Sequence, residues 1–423
     1  MLRKTRHKIR GRLVDHGVKK RKPPPSPVRD SLETTVAELW RSEGYAASTI
    51  SGYLHVIRLF RAHCHVRQLD EFAALTRAQV ITIAVFLAKN RGLTGRSELH
   101  AVRAAKIGLR RWAVALASVG IAVPRWRPAD HGGRFDALLT EYCEFRRKWR
   151  SVKRSSLVTE TGQIKRFLAW LPRKRRLVSL TPGSIEEFLT SYGQTVRPKT
   201  LASVCCGLRA FLRFLHATGR IRVELARCVM GPRLRRDASP PRALRWDDVR
   251  RILKRIDRTT RTGKRDYALF LLMATYGMGA GDVLALRLDD IDWREGTMRL
   301  VRPKTGTITL LPLLSAAGHA IAAYLQTAPR PKLRRELFLQ TVAPFAPLTF
   351  SGLARRWEQY TTATGVSIRG THALRHAYAS RHVEAAAPPK VVSDILGHSD
   401  PHSLSTYARV ATERLRAVCL PVP

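Results

Sequence analysis

The chain has 423 residues, 44% of them apolar, with 76 Lys and Arg against 32 Asp and Glu, a formal net charge of +44. That length predicts two to three globular domains, and so large a positive excess costs self-repulsion that a polyanion relieves most easily. No apolar run approaches the roughly 18 to 20 residues needed to span a bilayer, so no membrane partner is expected and nucleic acid leads. The cysteines (Cys64, Cys143, Cys205, Cys206, Cys228 and Cys419) show no C-x-x-C spacing and no nearby His set, and read as small buried residues of a reducing compartment rather than zinc ligands.

The N-terminal stretch 1–28 is strongly basic, with Arg3, Lys4, Arg6, Lys8, Lys19, Lys20, Arg21 and Lys22 against Asp15, and then Pro23, Pro24 and Pro25. It lacks the apolar core of a secretory signal and is nearly free of Ser, unlike a transit peptide. A disordered phosphate-binding arm is the reading, with a merely solvated tail as its competitor. An internal repeat of about 100 residues follows. Ile57-Arg58-Leu59-Phe60, Leu75-Thr76 and Gly108-Leu109-Arg110-Arg111-Trp112 recur in order as Ile164-Lys165-Arg166-Phe167, Leu180-Thr181 and Gly207-Leu208-Arg209-Ala210-Phe211.

Each copy predicts a small helical domain, 29–125 and 134–228. In the second, Leu201, Val204, Leu208, Phe211, Leu212 and Leu215 share one face of a 3.6-period helix, with Arg209 and Arg213 off it. In the first, Val102, Leu109, Trp112 and Leu116 turn inward, with Arg103, Lys106 and Arg110 outward. Core packing explains the apolar stripes. The basic faces make Arg103, Arg110, Arg209 and Arg213 candidates for DNA contact, joined by Arg235 and Arg236 of an extended Pro- and Arg-rich linker over 229–243.

A third domain is expected over 244–423. Helices are predicted over about 246–256, 266–276 and 281–288. The period then switches to two in Thr297-Met298-Arg299-Leu300-Val301-Arg302, and a turn at Pro303-Lys304-Thr305-Gly306 leads into Thr307-Ile308-Thr309-Leu310-Leu311, a β-hairpin. Helices resume to the end, so the fold class is mostly α with a small β-hairpin or sheet, α+β in this domain.

Thr371-His372-Ala373-Leu374-Arg375-His376 is followed by Ile395-Leu396-Gly397-His398 and then Thr406-Tyr407. His372 and Arg375, three apart, share one face of a helix and can address one anion. Gly397 suits a helix end, and Tyr407 stands nine residues beyond His398, plausible for the next helix. A phenol attacking a phosphodiester needs cations on the non-bridging oxygens, a hydrogen-bond partner near the phenol and an acid for the leaving oxygen. Arg375 with His372 and His398 can fill the first two roles, and Lys304 at the hairpin tip the third. Singly, each has a duller explanation as a core His, a surface Arg or a packed Tyr.

In that order and spacing, the C-terminal segment resembles the catalytic domain of tyrosine recombinases, the phage integrase family. The resemblance implies site-specific recombination or integration through a covalent 3′-phosphotyrosyl intermediate at Tyr407, with Arg375, His372, His398 and Lys304 as the supporting catalytic set and neither metal nor nucleotide as cofactor. It implies that the second helical domain is a core-binding domain closing a clamp on double-stranded DNA with the catalytic domain, the first helical domain being an extra module of that kind. It also implies a homo- or hetero-tetramer on synapsed DNA, with residues 411–418 exchanged between protomers, and a cytoplasmic, nucleoid-associated protein.

One departure stands in Thr275-Tyr276-Gly277-Met278-Gly279-Ala280-Gly281-Asp282. Asp282 matches the family's acidic position, whereas Gly279 occupies the place of the first catalytic arginine. Three alternating glycines would open a helix here, each costing up to about 1 kcal/mol relative to Ala inside it. Arg287, further along such a helix, would lie roughly 12 Å along the axis and is no simple substitute. Loss of one preorganised donor costs about 2.7–4 kcal/mol, or roughly 100- to 1000-fold in rate. The expectation is slow cleavage by the chain alone, or another cation in that slot. The alternative is a catalytically impaired accessory subunit acting with other recombinases. A basic helix-turn-helix regulator would explain the charge but not the His, Arg, His and Tyr set.

Overall fold

The computed structural model describes residues 27–90, 94–124, 133–172, 176–234, 244–331, 334–367 and 370–397. These residues are mostly helical, with one three-stranded antiparallel sheet. The chain divides into two compact units, Met1–Pro128 with Val342–Phe345, and Ala129–Thr341 with Ala346–Pro423. The arm before Pro27, the linker arginines Arg235 and Arg236, and the segment carrying His398 and Tyr407 lie outside the described residues.

The first unit contains α1 (Pro27–Ser42), α2 (Ala47–Val66), α3 (Arg77–Asn90) and α4 (Gly95–Ser118). Trp40, Ile57, Phe60, Leu109, Trp112 and Leu116 form its core at the helical spacing seen in the sequence. Arg61 is buried with them and is neutralised by Glu33 at 2.5 Å and Glu71 at 3.1 Å. Arg103 and Arg110 project from the opposite side of α4 into solvent.

The second unit begins with the same element order in α5 (Asp136–Arg150), α6 (Arg154–Trp170), α7 (Pro182–Gly193) and α8 (Pro198–Ala217). Ile164 and Phe167 occupy on α6 the place of Ile57 and Phe60 on α2, and Leu208, Phe211, Leu212 and Leu215 complete the core. Thr181 and Ser184 close a capping box at the start of α7, with Pro182 in its first turn. Arg209 departs from its reading as a free basic residue: its Nε and Nη2 donate to the Val229 carbonyl at 3.2 and 2.8 Å, tying the chain after α8 back onto that helix. Arg213 is exposed. The uniform burial expected of the cysteines is also corrected. Cys64 and Cys205 are buried, Cys143 and Cys228 half-buried, and Cys206 exposed on the outer side of α8.

The rest of the second unit packs around α10 (Arg261–Tyr276), whose Phe270, Leu272 and Met273 are buried. Thr260 caps α10 through Gly263 N–H, which sets its start earlier than the apolar run alone predicts. Before it lies α9 (Trp246–Arg255), acidic in its first turn and basic in its last, in keeping with the helix dipole. After it come α11 (Ala280–Ala285), β1 (Ile291–Asp292), β2 (Thr297–Val301) and β3 (Ile308–Pro312), then α12 (Ser315–Leu325), α13 (Phe350–Ala363), α14 (His372–Glu384) and α15 (Pro389–Leu396). The hairpin pairs Met298 with Leu311 and Leu300 with Thr309, and β1 adds a third strand that two residues of sequence do not announce.

The glycine run requires a correction. Gly277 ends α10 in the left-handed conformation (φ 62°), and Gly279 is the residue before α11, in extended backbone. Only Gly281 lies within a helix, and there in the first turn, so the interior penalty foreseen for all three does not apply to Gly277 or Gly279. α11 also stops at Ala285, which places Arg287 in extended backbone, exposed and off that helix. No helix among the described residues is long and apolar enough to cross a membrane.

Candidate active site

Three stretches distant in sequence meet at one place: the turn between α10 and α11, the end of β2, and the α14–α15 pair. Gly277 makes the meeting possible. A Cβ there would lie 2.6 Å from side-chain atoms of both Leu396 and Tyr378, so only a glycine lets α14 and α15 close onto the end of α10. Arg375, in the first turns of α14, spans that junction, donating to the Gly277 carbonyl at 3.1 Å and the Leu396 carbonyl at 2.6 Å. The acceptor at Leu396 is an open carbonyl at the C-terminus of α15, where the helix dipole favours a cation.

Asp282 is the carboxylate of the site. Its Oδ2 accepts the Gly279 N–H at 2.9 Å and the Nη1 of Arg302 at 3.1 Å, and lies 4.0 Å from Nη1 of Arg375. Sequence reasoning singled out Asp282 and passed over Arg302. The signal was present, because strand alternation buries Met298 and Leu300 and therefore turns Arg302 inward as well. Its side chain is only 4% exposed. Burial lowers its pKa and Asp282 opposes that shift, but an arginine stays charged under either influence. Its Nη2 donates to the Ile395 carbonyl, while its Nε is buried without a hydrogen-bond partner.

Gly397 ends α15 in the left-handed conformation (φ 64°). The Arg302 guanidinium presses so closely on its Cα that any Cβ would overlap Nε. The glycine of the Leu-Gly-His element thus both ends a helix and admits a buried cation, and His398 begins the segment beyond it.

His372 is the first residue of α14 and stands at the edge of the site. Partial burial lowers its pKa below the ordinary imidazole value, and the charges of Arg375 and then Lys304 lower it further. Its ring meets that of His376 edge-on at 4.4 Å. Lys304 is exposed in the hairpin turn, which is closed by Gly306 N–H to the Arg302 carbonyl at 2.8 Å and Arg302 N–H to the Thr307 carbonyl at 2.9 Å. Lys153, just before α6, donates to the carbonyls of Pro303 and Lys304 and so fastens this turn to the helical bundle of the same unit. The structure therefore brings Arg375, His372, Lys304, Asp282 and Gly279 to one locality. Arg103 and Arg110 are on α4 of the first unit, and Arg209 and Arg213 on α8 of the second.

The described residues thus gather Arg302 and Arg375 around one carboxylate, with His372 and Lys304 beside Arg375, an environment that attracts an anion. No group of His, Cys, Asp and Glu side chains among the described residues is arranged to hold a metal ion.

Residues 242–414 match the phage integrase family. The chain is 38% identical over 185 residues to the putative integrase/recombinase y4gC of Sinorhizobium fredii, covering 43% of this chain and 96% of that protein. It is 33% identical over 312 residues to y4rF, a putative integrase/recombinase of the same organism, covering 70% and 72% of the two chains. In fold, it is similar to lambda integrase(75-356), solved as a dimer bound to a COC′ core site, with a TM-score of 0.52 at 18% identity over 64% of this chain and 94% of that one.

Proposed function

Because the chain belongs to the phage integrase family of tyrosine recombinases, the proteins of site-specific DNA recombination, we propose that it cleaves and rejoins duplex DNA through a 3′-phosphotyrosyl bond at Tyr407. The Tyr407 hydroxyl passes its proton to a neighbouring imidazole of the His372 and His398 pair as its oxygen attacks the scissile phosphorus, the P–O5′ bond breaks, and the departing O5′ takes a proton. Arg375 neutralises the non-bridging oxygens. His372 and His398 hydrogen-bond around the phosphate and the phenol, and Lys304 supplies the proton to O5′. Attack of a second strand's 5′-hydroxyl on the phosphotyrosine reverses these bonds and frees the phenol.

The observation that carries this reading is Arg375 bound to carbonyls of both the Gly277 turn and the end of α15, with His372 and Lys304 at its side. The helical domain 134–228 is proposed to grip DNA together with the domain 244–423, and 29–125 to extend the contact through exposed Arg103 and Arg110. Strand exchange is assigned to a tetramer on synapsed DNA. Gly279 favours a second reading, in which the chain binds DNA as an accessory subunit and leaves cleavage to other recombinases. A nicked suicide substrate built from DNA flanking the gene separates the two. A covalent protein–DNA adduct that disappears in Tyr407→Phe is the expected result, whereas DNA binding with no adduct from the wild-type chain supports the accessory role.

A further inference from the structure

We propose that Arg302 takes over the phosphate-neutralising work of the arginine that Gly279 replaces, an inference that rests on the recombinase reading above. A side chain at 279 would begin beside Asp282. A Cβ built there lies 3.2 Å from Asp282 Oδ2 and, among the described residues beyond its chain neighbours, meets no other within 4 Å. Arg302 arrives at that same oxygen from β2, with Nη1 3.1 Å away. The strand thus delivers a guanidinium to the carboxylate next to which a first-box arginine would have emerged.

Charge and hydrogen bonding point the same way. Arg302 and Arg375 both approach the carboxylate of Asp282, and both guanidinium side chains are nearly buried, 4% and 11% exposed. Two guanidinium groups held this close together out of water form a seat that favours an anion such as a phosphodiester. Arg302 also has donors to spare. Of the five N–H groups of a guanidinium, its bonds to Asp282 and Ile395 use two, and Nε, held against Gly397, has no partner.

A plainer role as a cap on the C-terminus of α15 accounts for the bond to Ile395 and for nothing else. It explains neither the orphaned Nε nor the shared carboxylate. A cap needs one donor, and here an inward-facing arginine just after β2 carries a full charge into the core.

The test compares wild type with Arg302→Met, which keeps the length of the stem, on two nicked suicide substrates. One has the natural scissile phosphodiester and the other a methylphosphonate, whose uncharged non-bridging group removes the need for a neutralising cation. On the phosphodiester, the variant should form adduct roughly 100-fold or more slowly, the scale of a lost preorganised donor. On the methylphosphonate, that deficit should shrink to less than about tenfold. Arg302→Lys, which keeps the charge, should show the same pattern at smaller amplitude and serves if Met at this buried position unfolds the chain. Gly279→Arg in the Arg302→Met background should restore phosphodiester cleavage at least in part. A deficit that persists at full size on the methylphosphonate assigns Arg302 a structural role only and overturns the proposal, as does equal adduct formation by variant and wild type. A wild-type chain that binds the DNA but gives no adduct on either substrate overturns the recombinase reading itself.

Discussion

Arg302 and Arg375 converge on one oxygen, Asp282 Oδ2, at 3.1 and 4.0 Å, and each also donates to a terminal carbonyl of α15, Ile395 for the first and Leu396 for the second. The two arginines come from different motifs, the hairpin and α14, yet they are bound to the same carboxylate and the same helix end. Movement of α15 is therefore coupled to both cations.

Gly397→Ala should break that coupling. A left-handed backbone at a residue with a Cβ costs about 1–2 kcal/mol, and the new methyl group would occupy the space of the Arg302 Nε. The expected outcome is a modest fall in stability, about 1–2 kcal/mol by urea unfolding, together with a loss of adduct formation far larger than that fall explains. Adduct formation at the wild-type rate would show that neither the turn nor the seat of Arg302 matters to cleavage.

A second buried cluster lies apart from the chemistry. Asp266, 1% exposed, accepts from Arg265 at 2.9 and 2.6 Å, from Arg356, and from the Tyr360 hydroxyl at 3.0 Å. Burial and then Asp266 push the Tyr360 phenol up to about 12. Asp266→Ala leaves the buried Arg265 without its counter-ion, and removing one partner of a buried pair costs about 3–5 kcal/mol. Urea unfolding should show a correspondingly lower midpoint with an unchanged slope. A change below about 1 kcal/mol would mean that the guanidinium groups find other partners or water.

How much of this was legible beforehand depended on the range of the interactions. Short-range periodicities carried the fold: the repeat from Ile57 to Trp112 and from Ile164 to Phe211, the alternation of Met298 and Leu300, and the turn at Gly306 each act within a few residues. The function of the family was legible in the order of His372, Arg375, His398 and Tyr407. What escaped notice depended on contacts between distant segments. Arg209 looked like a basic surface residue because its acceptor, the Val229 carbonyl, is twenty residues away. The glycines at 277 and 279 looked like a weakened helix because the break between α10 and α11 is fixed by Tyr378 and Leu396, about a hundred residues downstream. Arg302 was within reach, since an arginine in phase with buried strand residues announces a buried charge, but its counter-ion Asp282 lies twenty residues back on another element.

The acid limit of cleavage should belong to His372. Its folded pKa is below 6.5, first through burial, then through Arg375 and Lys304, so it is neutral at pH 7 and able to accept a hydrogen bond or a proton. The sign follows directly. The unfolded chain binds a proton at His372 near pH 6.5, the folded chain only at lower pH, so folding opposes protonation and stability declines as pH falls from 6.5 towards the folded pKa. The groups facing the ring (Arg375 and His376 on its own helix, and Lys304 from the hairpin) are cations or an imidazole, and among the described residues no carboxylate acting on it counters them. Single-turnover adduct formation followed from about pH 5 to 8 should hold a plateau through neutrality and fall with a midpoint below 6.5. His372→Gln, which keeps a hydrogen-bonding side chain but cannot titrate, should lower the plateau and flatten the fall. Lys304→Met removes one of the charges that depress the imidazole and should move the midpoint upward in any variant that retains measurable cleavage. An unaltered acid limb in His372→Gln would assign the titration to another group.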